Sequence, residues 1–361
     1  MTQLITNTST FLAQPVNYVL MKGLLSAARK KLPYFNGTLA GSLEKSGGSA
    51  SVKWERINNL AANTATLTEL SGTAAAFFGR NFVTPTLSVV VATILKKGNA
   101  IILTEEIDLF NVNTKAVKLL DTLGANAGES LNALMFTAYQ GATQIRYSNG
   151  VAGGAASVSY INSSISVGDI KSAVNYINEG AGRTFTAIGT GSTNIGTQPI
   201  RSSYYGICHV DVEEDIRLLT GFIPVEQYAG YTETMPFEFG AVGGVRWAST
   251  QVSTVASGAG KASSLGLRGA SAKAHDSYDS FVYGQEAVGT VGLGNMHATN
   301  SYEMYNPKMP PAVELIHKAV GSAGAADPFD EVGTLSWKAW HVGQVLNGTW
   351  LVKIRSGSSK L

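Results

Sequence analysis

Residues 327–356 read DPFDEVGTLSWKAWHVGQVLNGTWLVKIRS. Strand-forming residues alternate from Leu335 to Val345, Asn347-Gly348 follows, and Thr349 to Arg355 returns to strand formers. Asn-Gly between two such runs is a strong local hairpin signal, because both central residues of a tight turn must reach positive φ at low cost. The spacing predicts a β-hairpin at this end of the chain.

Working outward, the rest of the sequence mixes helix and strand periods. Residues 1–14 are polar and aperiodic and read as an extended arm. Pro15 opens a helical pattern through Val16, Val19, Leu20, Leu24 and Ala27, closed by Arg29, Lys30 and Lys31 and broken by Pro33 and Gly37. After the flexible Gly41–Gly48 run, Val52–Arg56 and Thr64–Leu70 alternate and predict a long two-stranded excursion. Such a ribbon has too little apolar surface to stand alone and must lie on something else, a neighbouring subunit being the first candidate. Leu87–Leu95 and Ala100–Thr104 read as strands around Gly98-Asn99. Asn113 then caps a long helix to Gly141, with Ala116, Leu119, Leu120, Leu123, Ala127, Leu131, Leu134, Met135 and Ala138 at helical spacing. At 1.5 Å per residue that helix is roughly 40 Å long. Beyond a Gly/Ala-rich break lies a compact mixed region. Ser166 and Asp169 start a helix ending at Gly180, and Asp211 and Glu214 start another ending at Gly221. Ser202–Val210 and Val242–Val252 read as strands, and Ala256–Ala274 reads as a loop.

Composition narrows the function classes. The 361 residues are 44% hydrophobic but only 14% charged, well below the usual quarter, and 40 are glycine. Low charge with many small residues fits a surface largely covered by other protein and equally a loop-rich β protein, and composition alone favours neither. A net charge of +2 argues against a dedicated nucleic-acid binder, while allowing weak, sequence-independent contact with DNA. The single cysteine, Cys208, excludes an intrachain disulfide. The longest apolar run, Leu87–Leu95, is far too short to span a bilayer.

Chemical motifs are sparse. Gly258-Ala259-Gly260-Lys261-Ala262 fails as a phosphate loop, with Val255 where the first glycine belongs and Ala262 where a metal-binding hydroxyl belongs. Cys208-His209 with Asp211 is the one tight reactive cluster. A metal site is conceivable there, and a buried cysteine beside a helix cap is the stronger reading. Trp337, Trp340, Tyr204 and Tyr205 read as core or interface aromatics rather than binding platforms. No cofactor and no enzymatic activity is expected.

The blocks that carry a resemblance are spread along the chain: Arg29–Phe35, Val52–Arg56, Leu67–Leu70, Val83–Leu87 with Val91-Ala92-Thr93, Tyr205–Asp211, Glu238–Trp247, Tyr278–Val291 and Asp327-Pro328 with Trp337-Lys338-Ala339. In this order they resemble the major capsid proteins of N-four-like tailed phages. The resemblance implies an α+β tailed-phage capsid fold: an N-terminal arm (1–40), an extended β-hairpin loop (41–84), a peripheral domain with a long spine helix (85–164), an axial domain (165–325) and a C-terminal hairpin returning to the peripheral domain (326–361). It implies self-assembly as hexamers and pentamers into an icosahedral head around double-stranded DNA, in a virion built in the bacterial cytoplasm. Trp54, Arg56, Glu69 and Arg80 are then candidate inter-subunit contacts. Scaffold, portal and decoration proteins are further expected partners, with no membrane involved. The alternative class is another self-assembling protein, a tail-tube or surface-layer subunit.

Overall fold

The computed structural model describes residues 32–43, 50–58, 60, 62–64, 84–105, 115–148, 158–185, 202–228, 234–261, 266–269, 274–293, 313–318, 320–321, 328–329 and 331–359. After a 3₁₀ turn at Pro33–Phe35 come strands β1 (Leu39–Leu43), β2 (Ser51–Ile57), β3 (Leu87–Thr93) and β4 (Leu95–Thr104), helix α1 (Lys115–Gln140) and β5 (Gln144–Tyr147). Helix α2 (Val167–Glu179), β6 (Tyr204–His209), α3 (Val210–Arg217), β7 (Ile223–Pro224), β8 (Glu238–Val242), β9 (Val245–Thr250) and β10 (Val255–Ala256) follow. The chain closes with β11 (Ser277–Tyr283), β12 (Val288–Leu293), β13 (Val313–Lys318), β14 (Val332–Val345) and β15 (Leu351–Ser356). The expected helix near residues 15–31 lies outside the described residues.

The decisive C-terminal stretch is two strands, but not a hairpin. β14 is the centre of one sheet: β4 runs antiparallel along one edge, and β13 and β12 share the other, with β1 parallel to β12 beyond. β15 belongs to a different sheet, between β11 and β5, which continues through β6, β9, β8 and β7. The predicted turn is a sheet-switching corner. Asn347 sits at φ −139°, and its side chain accepts a hydrogen bond from Thr349 N at 3.2 Å. The Asn side chain thus closes the chain reversal locally, an option that competes with the tight turn.

Other readings shift for similar reasons. The ribbon partner of β2 is β3, over seven pairs from Ser51↔Thr93 to Ile57↔Leu87. Residues 65–70, most of the expected return strand, lie outside the described residues. Gly98-Asn99 makes no turn: β4 is continuous, and a β-carbon at Gly98 would sit 2.5 Å from the Trp337 carbonyl oxygen. The Val242–Val252 strand is the end of one strand, a turn and a second strand, with Gly243 and Gly244 at φ +65° and +87° between β8 and β9. The capping box on α2 forms as read, with Ser166 Oγ accepting from Asp169 N. On α3 the cap is His209, whose Nδ1 accepts from Asp211 N at 3.1 Å, in place of the expected Asp211–Glu214 box.

Helix α1 spans 26 residues, about 39 Å, and crosses both sheets. Leu120, Leu123, Ala127 and Leu131 pack on Leu335, Trp337 and Ala339 of β14, whose alternation places these residues on one face. One turn further, Met135 and Tyr139 enter an aromatic cluster with Tyr34, Phe281 and Tyr283 of the second sheet. Asn132, buried at the crossing, accepts from Tyr34 N and donates to Thr250 Oγ1. At the helix end, buried Lys353 donates to the Gln140 side chain at 3.0 Å, and Gln140 donates to Asp279, which also accepts from Arg355. A cation at the C-terminal carbonyls complements the helix dipole. The sheets do not divide at the sequence boundaries expected from the resemblance. β12 and β13, inside 165–325, join β4 and β14, whereas β15, inside 326–361, joins β11.

Candidate functional site

The β2–β3 ribbon is a two-stranded sheet separate from the other two. Its register sorts its side chains. Val52, Trp54 and Arg56 share a face with Ala92, Val90 and Ser88, while Lys53, Glu55 and Ile57 share the other with Val91, Val89 and Leu87. The first face turns toward its own chain. The Trp54 indole lies against Gly41, where a β-carbon would meet its Cζ2 at 3.4 Å, and the Arg56 guanidinium sits 5.8 Å from the Trp350 ring centroid.

The second face is open. Leu87, Val89, Val91 and Ile57 are exposed, Ile57 by 68%, with a Lys53–Glu55 ion pair among them. At the far end Asn58 ties the strands together, donating its amide N–H to Thr86 O at 2.9 Å and its side chain to Thr86 Oγ1 at 3.1 Å. The ribbon is therefore pre-formed as a strand pair, yet leaves apolar surface uncovered. Contiguous exposed apolar surface of this kind makes this face the candidate contact surface. Of the four expected contact residues, Trp54 and Arg56 lie on this ribbon, and Glu69 and Arg80 lie outside the described residues. Leu87, Val89 and Val91, read from the sequence only as strand residues, line this open face. Their Leu-x-Val-x-Val alternation is the visible signal, but only the register with β2 shows which side is free.

The Cys208-His209-Asp211 cluster divides across the strand. Cys208 is wholly buried in the core with Val212, Trp247 and Val282, and burial pushes its thiol well above the usual range. His209 Nδ1 is used as the α3 cap, and burial lowers the imidazole's affinity for a proton despite Asp211 nearby. Asp211 is also bound by Arg268 at 2.7 Å. Among the described residues no three His, Cys, Asp or Glu side chains are grouped as a metal site. In the Gly258–Lys261 loop three amides are already spent: Gly258 N donates to Asp276, Gly260 N to His275 O and Lys261 N to Ile161 O. Trp337 is buried and donates to Asn126, Tyr204 donates to Asn178, and Tyr205 stacks on Phe185 at 3.9 Å. These aromatics are packing groups.

Among the described residues no helix is long and apolar enough to cross a membrane. No family profile and no curated protein matches the sequence. Solved structures do match nearly the whole chain. The capsid of Ralstonia phage GP4 superposes with a TM-score of 0.55 at 10% identity, covering 91% of this chain and 92% of that one. The head structure of Helicobacter pylori bacteriophage KHP40 gives 0.52 at 10% identity, with 91% of each chain covered. The capsid asymmetric unit of cyanophage Pam1 gives 0.51 at 11% identity, with 89% of each covered. The chain has the α+β tailed-phage capsid fold. At these identities the likeness speaks to the fold and not to an N-four-like subgroup.

Proposed function

We propose that this chain is a major capsid subunit that closes, as hexamers and pentamers, into a shell around double-stranded phage DNA. The observation that carries the reading is the match of about nine-tenths of the chain to the capsid or head structures of three phages. The exposed apolar face of the β2–β3 ribbon supports it, because a folded subunit that leaves such a strip uncovered gains by burying it on another copy. In this reading the ribbon is the extended loop and α1 the spine helix. The sheet of β4, β12, β13 and β14 is the peripheral part, and the sheet around β6, β9 and β11 the axial part. Trp54 and Arg56 fix the ribbon's root on its own subunit, while Leu87, Val89 and Val91 meet the neighbour. Glu69 and Arg80 remain proposed contacts further along the same loop. Each interface is modest, and closure of the shell multiplies it. The chain acts as a structural protein without catalysis, in virions assembled in the bacterial cytoplasm. Scaffold, portal and decoration proteins are the further partners, and contact with DNA is weak and non-specific.

Negative-stain electron microscopy of the protein expressed with its neighbouring genes, beside a sizing column of the protein alone, tests this. Closed isometric shells or ring-shaped hexamers and pentamers are expected. Flat sheets would favour a surface-layer subunit. A strictly monomeric 37.9 kDa chain under every co-expression condition would overturn the reading.

A further inference from the structure

We propose that His341 is an acid-sensitive latch for the Leu32–Asn36 segment, which it releases when the imidazole takes up a proton. The segment is held across both sheets by the burial of Leu32 and Tyr34 in the core and by long-range hydrogen bonds. Tyr34 N donates to Asn132 Oδ1 at 3.2 Å and Tyr34 Oη to Val252 O at 3.0 Å. Asn36 donates its side chain to Pro236 O at 2.9 Å, and Tyr283 Oη donates to Asn36 O at 2.7 Å. Between these ties sits Phe35, its ring 5.4 Å from that of His341 and inclined by 45°. His341 is 3% exposed, and its Nε2 is buried without a hydrogen-bond partner.

The surroundings offer a proton no compensation. Across the strands His341 pairs with Leu95 of β4 and Gly292 of β12. β4 brings Lys97 to the same side two residues along, an exposed cation that opposes a second charge, while Lys96 pairs with Trp340 on the other side. β12 carries no titratable residue, and β13 brings Glu314, engaged with Lys338 on the far side of the sheet, while His317, opposite Leu335 on the His341 face, and Lys318, opposite Thr334, supply no anion. The 3₁₀ turn brings only the Tyr34 phenol, which burial keeps neutral. Among the described side chains of α1 the carboxylates Asp121 and Glu129 are exposed. A charged imidazole here is a desolvated cation without a counter-ion, and it reaches water once Phe35 lifts away.

Burial holds the imidazole down to about 4, from an ordinary 6.5. A base whose bound-state value is depressed prefers the open state when protonated. Docking of the segment is therefore at full strength above about pH 6.5, weakens as pH falls toward 4, and is level below that. The inference concerns the single subunit and holds independently of shell formation.

Hydrogen exchange of the full-length protein, corrected for intrinsic rates, reads it at the amides of Tyr34, Phe35 and Asn36. Between about pH 7.5 and 4.5 local opening is expected to rise by up to roughly 70-fold in the wild type. His341→Gln and His341→Phe, two variants so that one failing to fold does not end the test, are expected to flatten that rise to a few-fold. The amides of Ile207 and Ala248 in the second sheet serve as controls and stay protected. A wild-type segment insensitive to pH, variants that keep the full acid response, or control amides that open in step with Tyr34–Asn36 would each overturn the proposal. So would a proton NMR titration placing the His341 midpoint above 6.

Discussion

Removing the Arg246 guanidinium leaves the Glu238 carboxylate buried without its ion partner. The pair is essentially inaccessible, with Arg246 Nε and Nη2 reaching the two carboxylate oxygens at 2.8 and 2.6 Å, and Tyr228 Oη and Met235 N completing the acceptor's shell. Breaking a buried pair from one side costs about 3–5 kcal/mol, because the remaining charge is uncompensated. Arg246→Met is therefore expected to lower unfolding stability by that amount in a denaturant titration, and a loss under ~1 kcal/mol would contradict the geometry. Two glycines give a graded comparison. At Gly98 a methyl group meets the Trp337 carbonyl oxygen, which is backbone, whereas at Gly343 it meets the Met135 sulfur at 2.5 Å, which is flexible. Gly98→Ala is expected to cost more than Gly343→Ala, the latter about 1–3 kcal/mol, as checked by the difference in denaturant midpoint. At this scale the sequence was legible wherever the determinant is local. The Ser166–Asp169 box formed as read because both partners lie within one helical turn. The role of Gly98 was not legible, since the atom that excludes a side chain there comes from a strand more than two hundred residues away.

Strands β2, β6, β14 and β15 and helix α1 were read from period and length, whereas the partners of β2 and β14 were not, and the Val242–Val252 reading merged two strands. β14 shows the alternation expected of a half-buried strand, yet its neighbours are β4, β12 and β13 rather than the strand that follows it. Asn-Gly supports a hairpin only if both flanking strands stay in one sheet. Here the corner at Asn347 instead hands the chain from one sheet to the other. In the ribbon a two-stranded excursion was evident from β2, and the partner the structure gives it is β3, while residues 65–70 of the expected return strand lie outside the described residues. A functional prediction belongs to this element. The pair Val89→Lys and Val91→Glu alters exposed positions, each opposite a residue of unlike charge (Glu55 and Lys53), where changes in subunit stability stay within about 0.5 kcal/mol each. The doubly substituted subunit is expected to melt like the wild type in calorimetry and to form no shells. Normal particles from that protein would show that the ribbon's open face is not an assembly contact.

Two features bind the molecule together: α1, which packs its first half on β14 and its second half on the aromatic cluster, and the C-terminal chain, which contributes β14 to one sheet and β15 to the other. Neither coupling rests on adjacent residues, which is why the sheet membership of β12, β13 and β15 departs from boundaries drawn along the sequence. The blocks scattered from Arg29 to Ala339 nonetheless carried the fold class, because a resemblance in order and spacing samples the whole topology at once. Assembly turns on what the ribbon touches in the finished particle. Cryo-electron microscopy of particles purified after co-expression answers that directly. A closed shell is expected in which Leu87, Val89 and Val91 of one subunit are buried on its neighbour while Trp54 and Arg56 stay on Gly41 and Trp350 of their own chain. A shell with that apolar face open to solvent, or a product that is a tube or a sheet in every preparation, would contradict it.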